Sequence, residues 1–175
     1  MKIRKADRGD PVPWNLLLDA DGPRAEIRKY LPRGEMWLAQ EGPRVVGAMI
    51  LMETRAHVWE IMNLAVVADM QRQGVGTRLL RKARTLARQR RAHRLEVGTG
   101  NSSLGPLAFY QRFGFRISSI AFDFFTFRWK RIHRENGIPL RDMVRLEISF
   151  EHPALAQEPA GAHNANVNTA PRSGR

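Results

Sequence analysis

The sequence predicts a single α/β domain in which strands and helices alternate along most of the chain. With 175 residues, of which 43% are hydrophobic and 26% charged, it has the length and balance of one compact globular domain. Apolar runs of strand length occur at 35–40, 44–53 and 57–67, whereas from 74 to 91 the apolar residues recur at the spacing of an amphipathic helix. The chain contains no cysteine and no apolar run near the ~18 residues of a membrane span, so we expect a cytoplasmic protein without membrane contact.

Turn residues separate the predicted elements and fix their order. A first strand over residues 1–7 precedes two short helices, 14–20 and 23–31, the second of which ends at Pro32-Arg33-Gly34. Glu41-Gly42-Pro43 joins the next two strands as a hairpin, and we expect the third strand to pair with the second. After the long helix we expect a strand over 94–97, a helix over about 103–113, a long strand over 115–127, an irregular or helical stretch over 129–137 and a last strand over 142–150.

The composition changes after His152. Residues 153–175 are rich in Ala, Pro, Asn and Gly and contain almost no large apolar side chains. Such a segment cannot bury enough surface to offset the entropy that it would lose on ordering. The sequence therefore predicts one folded domain over residues 1–150 and a disordered tail over residues 151–175.

The chain is strongly basic, with 29 lysines and arginines against 17 acidic residues and a formal net charge of +12. This excess favours an anionic partner by long-range attraction, although a generally arginine-rich composition would give the same charge without one. The exposed face of the helix over 74–91 is densely basic and could neutralise the phosphates of a nucleic acid. A nucleic-acid-binding module is therefore one hypothesis, but no aromatic residues for base stacking are interleaved with these charges.

A glycine-containing loop, Gln71-Arg72-Gln73-Gly74-Val75-Gly76-Thr77, lies between a predicted strand and the long helix. Glycine allows the backbone to approach a ligand closely, and the first turn of a helix offers unpaired N–H groups and a partial positive charge. These properties predict an anion site suited to a pyrophosphate. The lysine of a Walker loop and the third glycine of a dinucleotide-binding fold are both absent from this segment.

Two motifs resemble those of the GCN5-related N-acetyltransferases, abbreviated GNAT. The first, Gln/Arg-x-x-Gly-x-Gly/Ala after a core strand, is present as Gln71-x-x-Gly74-x-Gly76 after Asn63-Leu64-Ala65-Val66. The second, an Asn followed by a short helix with a Tyr and then by Gly-Phe, is present as Asn101, Ala108-Phe109-Tyr110 and Gly114-Phe115.

The order of the elements is also that of this family, so the resemblance covers roughly residues 1–150. It implies a mixed, mostly antiparallel sheet flanked by helices, in which two central parallel strands splay apart into a V-shaped cleft. It also implies an N-acetyltransferase that moves an acetyl group from acetyl-CoA to a primary amine by direct attack in a ternary complex, without a metal. Asp123-Phe124-Phe125 and Glu135-Asn136-Gly137-Ile138 resemble a bacterial subgroup whose substrates are poorly defined.

The resemblance assigns cofactor contacts to three segments. The strand edge formed by Leu64, Ala65 and Val66 would bind the pantetheine arm, and an amide near Val66, freed by a local bulge, would face the oxyanion. Loop amides would hold the pyrophosphate, with Arg72 and Arg78 either neutralising its charge or simply solvated. Asn101 would bind the pantetheine arm or form an Asx turn. The expected cofactor-binding residues are Leu64, Ala65, Val66, Gln71, Arg72, Gln73, Gly74, Val75, Gly76, Thr77, Asn101 and Tyr110.

Two residues are implied to be catalytic. Glu60 stands eleven residues before Gln71, the offset of the general-base glutamate in the histone-acetylating branch, and burial beside the cleft would raise its pKa. The alternative is a solvated carboxylate paired with an arginine, in which case the base would be Glu53, His57 or Glu96. Tyr110 is implied to protonate or hydrogen-bond the leaving thiolate, the alternative being a half-buried packing role.

The acceptor amine is left open by the sequence. The basic composition disfavours a polycation such as a polyamine and favours an amine that carries a carboxylate or phosphate, while a protein lysine or N-terminus stays an alternative. A family member that binds CoA without catalysis is a further alternative, and strand pairing between two copies would form a homodimer. Trp14, Tyr30, Trp37 and Trp59 either wall the acceptor groove or pack in the core. The histidines lack metal-ligand spacing, so no metal site is predicted.

Overall fold

A computed structural model describes residues 1–128 and 133–150 of the chain. The tail predicted over 151–175 lies outside the described residues, as do residues 129–132 of the irregular stretch. The strands are β1 (Lys2–Lys5), β2 (Glu35–Glu41), β3 (Arg44–Arg55), β4 (Val58–Val66), β5 (Arg94–Gly100), β6 (Arg116–Ala121), β7 (Arg134–Glu135), β8 (Ile138–Pro139) and β9 (Met143–Ser149), and the helices are α1 (Trp14–Ala20), α2 (Arg24–Tyr30), α3 (Val75–Gln89), α4 (Leu104–Phe113) and α5 (Phe124–Arg128).

Seven of the strands form one mixed sheet in the order β1-β2-β3-β4-β5-β9-β6, and β7 and β8 form a separate small hairpin. Every neighbouring pair in the large sheet is antiparallel except β4 and β5, which are parallel. The sheet therefore confirms the mixed, mostly antiparallel α/β class that the family resemblance implies, with the expected pairing of β3 and β4. No helix in the described part of the chain is long and apolar enough to cross a membrane.

The two faces of the sheet are covered by different helices. On one face lies the apolar stripe of α3, which packs against Leu51, Ile61 and Leu95 of the three central strands. The stripe residues are at most 7% exposed and are those that the helical spacing predicts: Val75, Leu79, Leu80, Ala83, Leu86 and Ala87. On the opposite face α1 packs against β3 and β4, so the cleft described below forms beside it, over β5 and β9.

The two parallel strands separate after four residues. Val58–Ile61 of β4 pairs with Arg94–Val97 of β5, and no pairing continues beyond this segment. At the same point β4 has a bulge, since Ile61 and Asn63 pair with consecutive residues of β3 and Met62 is left as the extra residue. A bulge bends its strand and increases the local twist. The bulge predicted near Val66 thus lies four residues earlier, where the strands diverge.

The strand predicted over 115–127 is shorter than expected. β6 ends at Ala121, and residues 124–128 form α5 instead. Asp123 has a left-handed backbone with φ of 54°, and the Asp142 carboxylate accepts a hydrogen bond from its N–H at 2.8 Å. A left-handed residue cannot continue a strand, so the chain reverses there. The apolar run over Phe122–Phe127 has the composition of a strand, but contacts with the segment before β9 determine its conformation.

Candidate active site

A cleft of about 1030 Å³ opens where β4 and β5 diverge. Its walls are the second half of β4, the end of β5, the start of α4, the α1–α2 segment, α5 and the β7–β8 hairpin. The strand divergence creates the opening, and the surrounding helices and hairpin give it depth. Of the four aromatic residues predicted to wall a groove or pack in the core, Tyr30 lines the cleft, whereas Trp14, Trp37 and Trp59 do not.

The glycine-containing loop has the backbone geometry of an anion site. α3 begins at Val75, its N-cap is Gly74 with φ of 85°, and no side chain caps it. The first intrahelical bond joins the Arg78 N–H to the Gly74 carbonyl at 3.0 Å, so the N–H groups of the preceding turn have no helical partner. A Cβ on Gly74 would meet no atom within 4 Å, which shows that the loop faces open space.

Polar side chains fix this loop to the end of β4. Gln71 donates from Nε2 to the Val66 carbonyl at 3.1 Å, and Gln73 donates from Nε2 to the Asp69 carbonyl at 2.7 Å. Both bonds restrain the chain between the strand and α3. Arg72 and Arg78 are exposed and form no ion pair with any residue that the structure describes, so their charges are available to an anion.

The edge of β4 beyond the bulge has backbone N–H groups that do not pair with β3. Val66 lies opposite Gly47 and Leu64 opposite Met49, and the Val67 N–H donates to the Val46 carbonyl of β3 at 3.0 Å. Because backbone groups alternate in direction along a strand, the N–H groups of Leu64 and Val66 point away from β3. They face the side from which β5 has diverged.

Glu60 lies on β4 just before the bulge and lines the cleft. Its side chain is 14% exposed, and Arg145 of β9 donates to Oε1 from Nη1 at 3.3 Å. Burial raises the pKa of the Glu60 carboxyl above its ordinary value, the Arg145 guanidinium acts against this rise, and the neighbouring Glu96 adds to it. A carboxyl with a raised pKa is a stronger base than an ordinary glutamate.

The alternative bases lie elsewhere. Glu53 accepts a hydrogen bond from the His57 N–H at 3.0 Å, and the His57 ring stacks on His93 with 4.8 Å between the centroids. Glu96 binds Arg55 at 2.6 Å. None of Glu53, His57 and Glu96 lines the cleft, which leaves Glu60 as the best placed of the predicted bases.

Tyr110 reaches the cleft from α4 and is 7% exposed. Gly114, with φ of 110°, ends the helix, and the chain folds back so that the Phe115 ring packs against Tyr110 with 5.8 Å between the centroids. Its hydroxyl forms no hydrogen bond with any described residue, and burial raises the pKa of Tyr110 to about 12. The phenol is therefore protonated at neutral pH and available as a donor.

Asn101 lies outside the lining of the cleft. Its Oδ1 accepts from the N–H groups of Arg141 at 2.9 Å and Asp142 at 3.0 Å, and its Nδ2 donates to the Pro139 carbonyl at 3.0 Å. These bonds tie the loop after β5 to the segment that enters β9. They use both acceptor sites of Oδ1 and one of the two Nδ2 donors, which leaves one N–H for the predicted contact with a pantetheine arm.

The contacts of two residues of the site have no local signal in the sequence. Arg145 faces Glu60 only because β9 inserts beside β5 in the sheet. Asn63 is 4% exposed and donates from Nδ2 to the Leu17 carbonyl at 2.9 Å and to the Tyr30 hydroxyl at 3.3 Å, which holds α1 and α2 against the bulged strand. Both contacts join positions far apart in the chain, so spacing does not reveal them.

The comparisons with known proteins agree with this geometry. Residues 4–115 match the acetyltransferase (GNAT) family. The chain is 39% identical over 150 residues to the uncharacterized N-acetyltransferase YvbK of Bacillus subtilis strain 168. The aligned segment covers 86% of this chain and 97% of the relative. The fold of the present chain is similar to that of the IAA acetyltransferase from Bacillus cereus ATCC 14579, with 43% identity, a TM-score of 0.80 and coverage of 85% of this chain and 99% of that chain. It is also similar to a GNAT family acetyltransferase from Elizabethkingia anophelis with acetyl-CoA bound, with 37% identity, a TM-score of 0.82 and coverage of 85% and 97%.

The chain therefore belongs to the acetyltransferase (GNAT) family. This confirms the resemblance carried by the two motifs and the enzyme class that it implies, an N-acetyltransferase. Within residues 1–128 and 133–150 no group of three His, Cys, Asp or Glu side chains is arranged to hold a metal ion.

Proposed function

We propose that the protein transfers the acetyl group of acetyl-CoA to a primary amine by direct attack within a ternary complex. The observation that carries this proposal is the continuity of the cleft, which is lined by Gln71 of the loop, the free edge of β4, Tyr110 and Glu60. An amide-binding strand edge, a hydrogen-bond donor and a base therefore face one space, which reaches the proposed anion-binding loop at Gln71. The acetyl-CoA bound to the E. anophelis relative supports the choice of cofactor.

Acetyl-CoA would supply the acetyl group as an activated thioester, and three parts of this chain suit it. The unpaired N–H groups of Val75, Gly76 and Thr77 and the dipole of α3 suit the pyrophosphate. The exposed Arg72 and Arg78 add positive charge beside them. The open edge of β4 suits the amide-bearing pantetheine arm, because such an arm pairs with a strand edge as a peptide does.

Three groups divide the chemical work. Glu60 accepts a proton from the attacking amine, whose nitrogen forms a bond to the acetyl carbon as the carbon–sulfur bond breaks. The Val66 N–H faces the carbonyl oxygen, on which negative charge develops, and stabilises it from a fixed position. The Tyr110 hydroxyl donates a hydrogen bond to the departing sulfur.

The pKa of Tyr110 narrows its role. Its value of about 12 lies well above that of an alkyl thiol, ~8.5. Because burial disfavours the tyrosinate, complete proton transfer to the thiolate would be less favourable than from an exposed tyrosine. A hydrogen bond to a charged sulfur needs no such transfer and is stronger than one between neutral groups. Tyr110 thus acts as a donor that stabilises the leaving thiolate.

A calorimetric titration with acetyl-CoA tests the cofactor part of the proposal. Gly74→Glu places a carboxylate in the space proposed for the pyrophosphate, and we expect a loss of affinity of at least about tenfold through like-charge repulsion. Gly42→Glu is the matched control, because Gly42 also has a positive φ, 57°, and open space around its Cβ, but lies in the β2–β3 hairpin outside the cleft. It should bind acetyl-CoA like the wild type.

Three results would contradict the proposal. Equal losses in both variants would show that net charge, and not the loop, determines affinity. A folded wild type that binds no acetyl-CoA would exclude the acetyl-CoA-dependent reaction. In double-reciprocal plots of initial rates, intersecting lines indicate a ternary complex. Parallel lines, the ping-pong pattern, would exclude direct attack.

A further inference from the structure

An arginine–glutamate pair occupies the floor of the cleft. Glu60 of β4 and Arg145 of β9 are 14% and 35% exposed, and their charged groups are 3.3 Å apart. Arg145 lies opposite Gly98 of the intervening strand β5, and because Gly98 has no side chain, the guanidinium can extend over it toward β4. A guanidinium has five N–H donors, and that of Arg145 forms no other hydrogen bond in the part of the chain that the structure describes.

Apolar side chains line the same cleft as this pair. A Cβ on Gly98 would lie 2.6 Å from the Met143 sulfur, so the glycine also makes room for the Met143 side chain over the floor. Phe125 is 9% exposed and Met52 is 6% exposed where they reach the cleft. The cleft lining includes the apolar residues Met52, Met62, Phe124, Phe125, Leu140 and Met143.

From this arrangement we infer that the acceptor is an amino carboxylate, a small zwitterion whose amine lies at Glu60, whose carboxylate binds Arg145 and whose side chain is apolar. The inference rests on the proposed function, since it takes Glu60 as the base. In an α-amino acid one carbon separates the ammonium from the carboxylate, so both charges fit a pair whose members are in contact. The substrate would replace one internal ion pair by two, one of them able to be bidentate.

Other amines fit this floor less well. A polyamine would bring positive charge against the Arg145 guanidinium, and like charges in contact are repulsive. A protein N-terminus carries an amide carbonyl where Arg145 would bind a carboxylate. A lysine side-chain amine has only methylene groups next to it, so it offers Arg145 no anion. The α1–α2 side of the cleft does not strongly favour one net charge, because three acidic and two basic residues line it: Asp19, Asp21, Glu26, Lys29 and Arg33.

The test compares acceptors that differ only in the carboxylate. Thiol release is measured with L-phenylalanine, L-phenylalaninamide and 2-phenylethylamine, with L-leucine and 3-methylbutylamine as a second set and spermidine as the polycation. We expect kcat/KM to be about ten- to hundred-fold higher for the amino acids than for their amide or decarboxylated partners, the range expected for a hydrogen-bonded charge pair. The difference should lie mainly in KM.

Arg145→Gln tests the assigned partner. It should lower the ratio of kcat/KM for phenylalanine to that for 2-phenylethylamine to near one, and Arg145→Lys should restore part of it. Taking the ratio removes any effect of the substitution on Glu60, which acts on both acceptors. Arg94→Gln is the matched control, because Arg94 pairs with Glu147 at 3.5 Å in the same sheet but outside the cleft, and it should keep the wild-type ratio.

The outcomes separate this inference from the proposed function. If the folded wild type does not bind acetyl-CoA, the proposed function is wrong and the inference is wrong with it. Equal or faster turnover of amides, simple amines or spermidine would overturn the inference and leave the acetyltransferase proposal standing. The inference would also be overturned if Arg145→Gln kept the wild-type ratio of kcat/KM for phenylalanine to that for 2-phenylethylamine. It would likewise be overturned if the protein bound acetyl-CoA but acetylated none of the amino acids tested.

Discussion

At the scale of single residues, the protonation of Glu60 depends on neighbours that act in opposite directions. Burial raises its pKa, Arg145 and the more distant Arg55 lower it, and Glu96 raises it. Glu96 lies opposite Glu60 in the parallel register and is itself held by Arg55. The protein thus places the proposed base between a cation and a second carboxylate, so that its proton affinity responds to both.

Removing these neighbours should shift the acidic limb of the pH profile in opposite directions. Glu60 must be deprotonated to act, so kcat falls at low pH with the pKa of Glu60 in the substrate complex. Arg145→Gln removes a charge that lowers this pKa, and its limb should move to higher pH. Glu96→Gln removes a charge that raises it, and its limb should move to lower pH. Profiles of kcat with 2-phenylethylamine, which needs no carboxylate partner, provide the measurement.

Glu60→Gln is the reference for this experiment. This variant should lose most activity, and its kcat profile should lose the acidic limb, because the side chain at position 60 no longer titrates. Shifts in the same direction for Arg145→Gln and Glu96→Gln, or an unchanged limb in Glu60→Gln, would assign the base to another group.

Tyr110 offers a substitution that separates catalysis from stability. Tyr110→Phe removes a hydroxyl that has no hydrogen-bond partner among the described residues, so the denaturant midpoint should change little. We expect kcat to fall by about ten- to hundred-fold, the value of one hydrogen bond to a charged group, while acetyl-CoA affinity stays near that of the wild type. Single-turnover thiol release and calorimetry on the same preparation measure both. An unchanged kcat would assign Tyr110 to packing alone.

At the scale of elements, the sequence predicted those parts whose signal is local. α1 has the predicted bounds, and α3 buries the predicted stripe, because helical periodicity and prolines or glycines at helix ends act within a few residues. The loop over 71–77 was predictable for the same reason, since its glycines and the start of α3 are neighbours in sequence. The family resemblance added the divergence of β4 from β5, which no local pattern contains.

The features that local sequence patterns did not predict depend on distant contacts. The run over 115–127 has strand composition, but Asp142 caps a left-handed Asp123 and ends the strand early. Asn101 resembles a ligand-binding residue by motif, yet the backbone entering β9 takes its side-chain bonds. Arg145 reaches Glu60 only through the register of β9 on β5. In each case one partner lies between residues 141 and 145, at or just before the start of β9, and far along the chain from the residue that it contacts.

At the scale of the whole molecule, the positive charge is distributed unevenly. The exposed face of α3 carries a series of cations without an acidic residue between them: Arg78, Arg81, Lys82, Arg84 and Arg88. A smaller hollow of about 340 Å³ between α3 and α4 is lined by Arg81, Arg84 and Arg112 together with Thr77, Phe109 and Phe113. The rim of the acceptor side, by contrast, contains both signs. Much of the excess positive charge behind the net charge of +12 therefore lies along α3, and less of it lies at the proposed acceptor site.

This asymmetry should guide acetyl-CoA, which carries several negative charges on its phosphates, to its end of the cleft. Arg78→Glu/Arg81→Glu reverses two exposed charges beside the loop, and we expect the association rate at low salt to fall several-fold, since long-range attraction raises encounter rates and is screened by salt. The difference from the wild type should largely disappear at about 1 M salt, where the screening length is only ~3 Å. Lys2→Glu/Arg8→Glu is the matched control, because it makes the same change in net charge at exposed positions on the β1 edge of the sheet. Stopped-flow association kinetics over a salt series provide the measurement. If both double variants slow association equally, the net charge and not its position attracts the cofactor.

If neither double variant slows association, the basic face of α3 serves another purpose. Nucleic-acid binding with a steep salt dependence then becomes the hypothesis to measure on the same variants.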